Sequence, residues 1–258
     1  MSGTPLGQGI TVAVAGASGR MGQEVVRTVL AAPDLVLAGQ ITRGDNFEAA
    51  LAQANPLALV DFTVPESAMP NIRAALESHV VPIVGTTGLS PADVAEVRAL
   101  CRKQETGALI APNFAIGAIL MMRFAQEAAK YLPDAEIIEM HHERKLDAPS
   151  GTAAKTAEMI AAGRADASPA ALPAEAFEKL PGARGAKGVG DVPIHSVRLP
   201  GFVASQMVIF GGLGQTLTLR HDSLDRTSFM PGVLLALRHA PILAANGGEL
   251  VYGLEHLL

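Results

Sequence analysis

The stretch that decides the fold is ITVAVAGASGRMG, residues 10–22. Its first six residues form an apolar run typical of a buried strand, and glycines follow at positions 16, 19 and 22 before a helix-like segment. A strand-to-helix turn without side chains lets a pyrophosphate approach the backbone, and N–H groups at the helix start attract its charge. Ala17 holds the first position of the usual GxGxxG spacing. The stretch predicts a dinucleotide-binding loop, with a tight turn required only by the fold as the alternative.

Around this loop, the first 112 residues alternate apolar runs with helix-like stretches. Strands are predicted at 10–15, 35–41, 58–63, 81–87 and 108–113. Aliphatic residues recur every three or four positions at 23–32, 69–79 and 91–104, whereas 44–57 shows no clear period. The pattern predicts an α/β domain with a Rossmann-like parallel sheet covered by helices.

The pattern changes after Pro112. It predicts helices at 117–131, 152–163 and 227–239, an extended run at 135–142, and strands at 194–199, 203–210 and 215–221. Gly163 is expected to end the second helix. Residues 163–191 are rich in Ala, Pro and Gly, which predicts a long loop. This half of the chain therefore predicts an α+β domain with an open mixed or antiparallel sheet.

Composition narrows the class of protein. Of the 258 residues, 49% are hydrophobic and 17% charged, which excludes wholesale disorder. A net charge of -5 provides no general attraction to nucleic acids or anionic membranes. Arg123 interrupts the most apolar stretch, and MSGTPLGQG at the start has no features of a signal peptide. We therefore expect a soluble, cytoplasmic protein without nucleic-acid or membrane partners.

The single cysteine, Cys101, excludes an internal disulfide and a multi-cysteine zinc site. It recurs at helical spacing with Val94, Val97 and Leu100. This favours burial as a small hydrophobic residue, and a nucleophile is the alternative.

The end of the second predicted strand bears on the choice of cofactor. NAD-binding domains usually have an acidic residue there for the adenosine ribose, but the sequence reads Gln40, Ile41, Thr42, Arg43, with no carboxylate before Asp45. The guanidinium of Arg43 suits a 2'-phosphate. NADPH is therefore favoured over NADH, and a solvated loop cation is the alternative.

Three short motifs follow later strands of the predicted sheet. They are Asp61-Phe62-Thr63, Gly85-Thr86-Thr87-Gly88 and Ala111-Pro112-Asn113-Phe114. In an open parallel sheet, such strand ends form the ligand crevice. Turn formation explains GTTG equally well when that motif is taken alone.

Residues 139–152, EMHHERKLDAPSGT, concentrate polar chemistry. Ser150 to Thr152 lie where a helix is predicted to begin, so backbone N–H groups there favour a ligand carboxylate, and Lys145 adds a positive charge. N-capping by Ser150 is the alternative, and the two roles are compatible.

The two histidines of this segment are candidates for proton transfer. His141 and His142 point to opposite faces of a regular strand, so both reach one ligand only at a bulge or at the strand's end. One can donate a proton while the other binds. A metal site that includes Glu143 and Asp147 is a rival, although Arg144 and Lys145 would repel a cation, and a polar turn without a role is another. We expect no metal.

At this point a resemblance becomes specific. The run HHERKLDAPSGTA closely resembles the signature of the 4-hydroxy-tetrahydrodipicolinate reductases, also called dihydrodipicolinate reductases, of the diaminopimelate route to lysine. GASGRMG, VDFT, GTTG and PNF occur in the family's order, so the resemblance spans most of the chain. It implies NAD(P)H-dependent reduction of 4-hydroxy-tetrahydrodipicolinate or dihydrodipicolinate to tetrahydrodipicolinate.

The resemblance also implies roles for individual residues. His141 matches the family's proton donor and Lys145 its second catalytic residue. His142 and the pair Gly151 and Thr152 match substrate-binding positions, to which we add Ser150 as part of the same helix start. The residues that match cofactor contacts are Gly16, Ala17, Ser18, Gly19, Arg20, Met21, Arg43, Gly85, Thr86, Thr87, Ala111, Pro112, Asn113 and Phe114.

For the architecture, the resemblance implies two domains and a homotetramer. Residues 1–112 with 222–258 would form the dinucleotide-binding domain, to which the last helix returns. Residues 113–221 would form the substrate-binding domain, whose open sheet builds the tetramer. The chain departs from the family at Thr42, where members often have an acid, and at Ser205 and Met207, where many have a His and a Glu.

Two other functions fit part of the pattern. Aspartate-semialdehyde dehydrogenases also join a dinucleotide domain to a second sheet, but they need a cysteine nucleophile, and Cys101 lies on a predicted crossover helix. A redox-sensing protein would bind the dinucleotide without turnover. Such a sensor has no need of the His and Lys cluster.

Overall fold

The computed structural model describes residues 9–164, 169–170 and 177–258. They fall into two compact units, which lie within Met1–Phe114 together with Phe229–Leu258, and within Ala115–Ser228. The domain boundaries predicted from the sequence, after residues 112 and 221, remain predictions. The N-terminal residues 1–8 and the residues 165–168 and 171–176 of the predicted long loop lie outside the described residues.

The first unit is built on a parallel sheet. Its first five strands are β1 (Ile10–Ala15), β2 (Leu35–Ile41), β3 (Ala58–Asp61), β4 (Val81–Val84) and β5 (Ala108–Ile110). They lie in the order β2-β1-β3-β4-β5, and all neighbours pair in parallel. The sheet grows in one direction from β1 to β2 and in the other from β1 to β3. The loop after β1 therefore lies at a topological switch point, where such sheets bind ligands.

Helices connect these strands as crossovers. They are α1 (Arg20–Ala31), α2 (Phe47–Ala54), α3 (Pro65–Glu77) and α4 (Pro91–Gln104). Val12, Leu59 and Ile83 of the central strands are fully buried, as expected of strands covered on both faces. Cys101 of α4 is also fully buried, and burial raises the pKa of its thiol to about 11. The thiol is therefore not a ready nucleophile, which agrees with the prediction that Cys101 is buried as a small hydrophobic residue.

The sequence and the structure differ where strands end. β3, β4 and β5 stop before the predicted ends because the next residues leave the sheet and form loops. Residues 44–57, which show no clear hydrophobic period, contain α2. The Asn46 side chain caps the start of this helix by accepting a hydrogen bond from the N–H of Ala49 at 3.0 Å.

The second unit has a mixed sheet with helices on one face. Its elements are α5 (Ile116–Ala128), β6 (Asp134–His141), α6 (Gly151–Arg164), β7 (Ala186–Lys187), β8 (Pro193–Arg198), β9 (Ala204–Gly212) and β10 (Gln215–Ser223). The strand order is β10-β9-β6-β8-β7, with β6 and β8 parallel and the other pairs antiparallel. Buried residues of α5 and α6 pack on one face against Ile137 and Phe210. The predicted fold class, a Rossmann-like sheet plus a second mixed sheet, is confirmed.

Gly163 does not end its helix, contrary to the prediction, because α6 continues to Arg164. A Cβ added at Gly163 would lie 2.1 Å from the carbonyl oxygen of Gln126. The glycine is therefore explained by the close approach of α6 to α5, not by a C-cap.

The chain then returns to the first unit. α7 (Met230–Ala245) is followed by β11 (Leu250–Tyr252), which pairs in parallel with β5. The last helix was predicted to end at residue 239 but continues through Pro241 to Ala245. The strand β11 was not predicted, because three residues are too few to show a period.

Together with the short 3-10 turn Arg226–Phe229 that precedes it, α7 forms a helical span, Arg226–Ala245, with mean hydropathy 1.3. Among the described residues, it is the one helix that is long and apolar enough to cross a membrane, judged by length and composition alone. A core helix passes the same test. Val233, Leu237 and Leu243 of this helix are fully buried in the protein, and Arg238 forms a bidentate ion pair with Asp34. Packing within the protein therefore explains part of its apolar composition.

Candidate active site

The loop after β1 is built by backbone contacts. The N–H groups of Gly16 and Ala17 donate to the carbonyl oxygen of Ile41, at 2.9 and 3.2 Å, and the N–H of Gly19 donates to Gly16 at 2.9 Å. Gly16 has φ +74°, and a Cβ there would lie 2.9 Å from the carbonyl oxygen of Phe62. A Cβ at Gly22 would lie 2.1 Å from that of Gly16. These glycines are required by the turn itself.

The same turn also suits a phosphate. α1 begins at Arg20 with Gly19 as its N-cap, no side chain caps it, and its first turn contains no acidic residue. Its first N–H groups have no partner within the helix, and the helix dipole is positive there. The geometry therefore fits a pyrophosphate, and the two interpretations of the loop are compatible.

Asp61 joins two of the strand ends. Its buried carboxylate accepts hydrogen bonds from the N–H and hydroxyl of Thr63, at 2.8 and 2.6 Å, from the amide of Asn71 at 2.8 Å and from the hydroxyl of Thr86 at 2.9 Å. The loop after β3 is thereby tied to the loop after β4. The sequence motif contained Asp61, but Asn71 lies on α3 and no motif indicated its part.

Phe62 brings in the third strand end. A Cβ added at Gly85 would lie 2.1 Å from the nearest atom of the Phe62 ring, so any side chain at position 85 would displace that ring. The Phe62 and Phe114 ring centroids lie 5.5 Å apart. The motifs after β3, β4 and β5 therefore meet around residues 61–63.

Arg43 lies in the turn after β2 and is exposed. Asp45 accepts hydrogen bonds from the N–H and hydroxyl of Thr42, at 2.7 and 2.8 Å, and these bonds lower the pKa of its carboxyl. The first carboxylate after β2 is thus held by the turn itself, while the Arg43 side chain extends into solvent.

In the second unit, the end of β6 carries the main candidates. Glu139 and His141 alternate onto the same face of β6, and the strand ends at His141, so His142 is already outside the regular strand. Nδ1 of His141 lies 2.5 Å from Oε2 of Glu139. Glu139 is fully buried, whereas the His141 side chain is 14% exposed.

Arg198, at the end of β8, neutralises Glu139. Its two Nη groups donate to the two carboxylate oxygens at 2.9 and 2.8 Å, and the N–H of Ser150 adds a bond at 3.3 Å. Burial raises the pKa of Glu139, but hydrogen bonds from Arg198, Ser196 and His141 outweigh it and leave the pKa below its ordinary value. Glu139 is therefore a carboxylate at neutral pH.

Burial lowers the pKa of His141, and the hydrogen bond to Glu139 opposes this shift. The positive charges of Lys145 and Arg198 lower it further. In the ligand-free chain, the imidazole is therefore easily deprotonated. A bound dianion would favour its protonated form, because an opposite charge nearby raises the pKa of a histidine.

The loop after His141 holds the second candidate. Nζ of Lys145 donates to both carboxylate oxygens of Asp147, at 2.7 and 2.9 Å, and lowers the pKa of that carboxyl. Arg198 donates to the carbonyl oxygen of Asp147 at 2.7 Å. His142 accepts a hydrogen bond from the N–H of Arg144 at 3.2 Å. Arg198 therefore connects the Lys145 loop to the buried Glu139.

The start of α6 lies beside Glu139. The hydroxyl of Ser150 accepts a hydrogen bond from the N–H of Ala153 at 3.2 Å, so Ser150 is an N-cap, as the alternative interpretation held. Nothing lies within 4 Å of a Cβ added at Gly151, so the helix start is open to a ligand. Capping and ligand binding are compatible here.

The sequence left open a metal site formed by His141, His142, Glu143 and Asp147. Among residues 9–164, 169–170 and 177–258, no three His, Cys, Asp or Glu side chains come close enough to hold a metal ion. Lys145 engages Asp147, one of the ligands that rival needed.

Two residues of this cluster were missed by the sequence reasoning. Glu139 stood in the polar segment without a role, and Arg198 lies 59 positions away from it in the chain. Neither has a local signal, since only the parallel pairing of β6 with β8 brings them together.

Comparisons with known proteins agree over nearly the full chain. Residues 10–114 match the family model described as dihydrodipicolinate reductase, N-terminus, and residues 117–258 match its C-terminus. The 4-hydroxy-tetrahydrodipicolinate reductase of Desulfitobacterium hafniense is 51% identical, over 96% of this chain and 98% of that protein. The one from Moorella thermoacetica is 47% identical, over 96% and 98%.

A solved structure shows the same architecture. Dipicolinate-bound dihydrodipicolinate reductase from Paenisporosarcina sp. TG-14 is similar at TM-score 0.84 and 41% identity, over 97% of this chain and 100% of that one. The resemblance inferred from the sequence is therefore confirmed. The chain belongs to the dihydrodipicolinate reductase family and is an NAD(P)H-dependent reductase of lysine biosynthesis.

Proposed function

We propose that this reductase acts on 4-hydroxy-tetrahydrodipicolinate or its dehydrated form, dihydrodipicolinate, and that His141 supplies the proton. The observation that carries the proposal is the cluster at the end of β6, where an imidazole is held on a buried carboxylate next to an open helix start. The relative from Paenisporosarcina has dipicolinate bound, a planar ring with two carboxylates. A small dicarboxylate is the ligand that a cation and a helix N-terminus favour.

In this proposal, Lys145 and the start of α6 bind the substrate carboxylates. Lys145 would exchange its pairing with Asp147 for a substrate carboxylate, and Gly151 and Thr152 would offer backbone N–H groups. His142 would contribute a further contact, and Ser150 would hold the helix start in place. Binding by several groups orients the ring before reaction.

The proton step would use Nε2 of His141, because Nδ1 faces Glu139. When bound, a reduced nicotinamide would supply the hydride for the conjugated imine. The resulting enamine carbon then takes a proton from the imidazolium. Two substrate carboxylates next to His141 would favour the charged imidazole needed for this transfer.

For the cofactor, the proposed contacts lie in the first unit. Residues 16–21 would hold the pyrophosphate at the start of α1, and residues 85–87 and 111–114 would line the remainder of the crevice. The hydrogen bonds of Asp61 and the packing of Phe62 support this, because they fix these loops relative to one another.

Both NADH and NADPH are proposed as cofactors, with NADPH preferred through Arg43. We expect Arg43→Ala to weaken NADPH binding by about 1.5 to 3 kcal/mol, roughly 10- to 150-fold, because a charge-assisted hydrogen bond to the 2'-phosphate is lost. NADH binding should barely change. Fluorescence titration of both cofactors measures this effect, and Arg102→Ala, on the last turn of α4, is the control. Equal losses for the two cofactors would remove the preference.

We also propose a cytoplasmic homotetramer assembled through the open face of the second sheet. Ile138, Met207 and Ile209 are only half-buried there and lie side by side on β6 and β9, which supports the proposal. Ser205 is buried and lies opposite Asp222 in the register of β9 with β10, where it helps to lower the pKa of that carboxyl, so at this departure from the family the serine faces a partner within the sheet. Light scattering of the purified chain tests the assembly.

The function is tested by an assay with freshly generated substrate, in which nicotinamide absorbance at 340 nm is followed with each cofactor. We expect turnover with both, and competition by dipicolinate. Cofactor binding without turnover would favour the redox-sensing alternative.

A further inference from the structure

The carboxylate of Glu139 has more hydrogen-bond partners than a simple ion pair provides. The carboxylate is fully buried, accepts hydrogen bonds from both Nη groups of Arg198 and from the N–H of Ser150, and faces His141. A buried charge is tolerated only with such compensation. Glu139 is therefore fixed in both position and charge.

A fixed carboxylate determines which nitrogen of the neighbouring imidazole carries hydrogen. An ionised carboxylate only accepts hydrogen bonds, so Nδ1 of His141, 2.5 Å from Oε2, must be the protonated nitrogen in the neutral ring. Nε2 is then left to exchange a proton with a ligand. The same carboxylate favours the imidazolium, since an opposite charge nearby stabilises it.

We infer that Glu139 is the positioning residue of His141, holding the imidazole in the tautomer that exposes Nε2 and keeping it available as an acid, with Arg198 fixing Glu139 in turn. This inference rests on the proposed function in one respect, since only there does His141 donate a proton. The claim about the tautomer stands independently of any reaction.

Among the described residues, three charged groups act on His141. Glu139 comes from its own strand, Lys145 from the loop that follows, and Arg198 from β8. Lys145 and Arg198 both disfavour the imidazolium, and Glu139 is the group that favours it. Removal of the Glu139 charge therefore leaves the two cations unopposed.

The informative substitution is Glu139→Gln. Oε1 accepts hydrogen bonds from Nη2 of Arg198 and from the N–H of Ser150, whereas Oε2 accepts one from Nη1 of Arg198 and faces His141. An amide would therefore turn its oxygen toward the Oε1 side and its NH2 group toward His141, and the bond from Nη1 would be lost. The NH2 group would donate to Nδ1, which forces hydrogen onto Nε2 in the neutral ring and disfavours the imidazolium. Glu139→Asp keeps the charge. Glu158→Gln is the matched control, because it removes an exposed carboxylate of α6 that pairs with Lys155 at 3.1 Å.

The tautomer is read by long-range 1H–15N NMR of the full chain with 15N-labelled histidine, without substrate. The signals absent from His141→Ala identify His141. We expect hydrogen on Nδ1 in the wild type, in Glu139→Asp and in Glu158→Gln. In Glu139→Gln, we expect hydrogen on Nε2 and a titration midpoint lower by about 1 to 3 pH units.

The kinetic test separates positioning from binding. A general acid must be protonated, so kcat falls as the pH rises through the pKa of the acid. We expect Glu139→Gln to move this fall to lower pH and to reduce kcat at pH 7 by about 10²-fold. The KM for the dicarboxylate should stay within about threefold. Glu139→Asp should recover part of kcat.

The outcomes distinguish the inference from the proposed function. Hydrogen on Nε2 in the wild type, or an unchanged tautomer and midpoint in Glu139→Gln, would overturn the inference whatever the enzyme does. The expected NMR result in a chain that does not reduce the substrate would refute the proposed function and leave the positioning intact. If Glu139→Gln does not fold, the wild-type tautomer and the Glu139→Asp titration still decide.

Discussion

Replacement of His141 by alanine is expected to lower kcat by about 10² to 10⁴-fold, the usual contribution of a general acid. The hydride would still come from the cofactor, but protonation of the enamine would then depend on water. KM for the substrate should change less than kcat, because Lys145 and the start of α6 remain to bind the carboxylates.

The fold should survive this substitution. The His141 side chain is partly exposed, and Glu139 keeps its bonds from Arg198 and Ser150 when the imidazole is removed. We expect the free energy of unfolding to fall by no more than about 1.5 to 3 kcal/mol, the range for one hydrogen bond to a charged group. Stopped-flow or steady-state absorbance measures kcat, and urea unfolding measures stability. His256→Ala, near the C-terminus, is the control for loss of a histidine.

The pH dependence gives a second readout. In the wild type, kcat should be high below the pKa of His141 in the complex and fall above it, since the acid must be protonated. His141→Ala should lack that fall. Wild-type turnover in the variant, or a retained pH limb, would assign the proton to another donor.

Most of the fold followed from hydrophobic period. β1, β2 and α4 have the bounds that their apolar patterns predict, because a buried parallel strand and an amphipathic crossover helix each leave a local signal. The strand β11 could not be predicted because three residues are too few to show a period. The helix α2 could not be predicted because its short, alanine-rich segment has no distinct apolar face. Residues 240–245 of α7 were not predicted, because a proline at position 241 usually ends a helix.

Part of the candidate site could likewise be predicted from the sequence, and part could not. His141, Lys145 and the start of α6 lie within one short segment, so the sequence alone could group them. Glu139 and Arg198 come together only through the register of β6 with β8, which no local pattern specifies. The hydrogen bond between Asp61 and Thr86 likewise depends on two neighbouring strands ending at one edge.

Replacement of Arg198 by methionine is expected to have the largest effect on stability. Methionine has a similar length but no charge, so the fully buried Glu139 would lose the one permanently charged partner that it has among the described residues. Removal of one partner of a buried ion pair costs about 3 to 5 kcal/mol. Urea unfolding at pH 7 measures this loss.

The matched control is Arg238→Met. Arg238 also forms a bidentate pair, with Asp34 at 2.7 and 3.1 Å, but its side chain is 50% exposed. Pairs of this kind contribute about 0 to 1 kcal/mol. A comparable loss in the two variants would mean that burial of Glu139 has no special cost.

The pH dependence identifies the cause of the Arg198→Met effect. In the wild type, the pKa of Glu139 lies below its ordinary value, so its contribution to stability is present above that ordinary pKa and is lost as the pH falls through the lowered one. Without Arg198, burial should instead raise the pKa of Glu139 above its ordinary value. The deficit of Arg198→Met should then shrink as the pH falls and the carboxyl takes up a proton.

The double variant Arg198→Met, Glu139→Gln should recover part of the stability at pH 7, because it no longer buries an uncompensated charge. A deficit independent of pH would instead point to lost packing or to the lost bond from Arg198 to the carbonyl oxygen of Asp147.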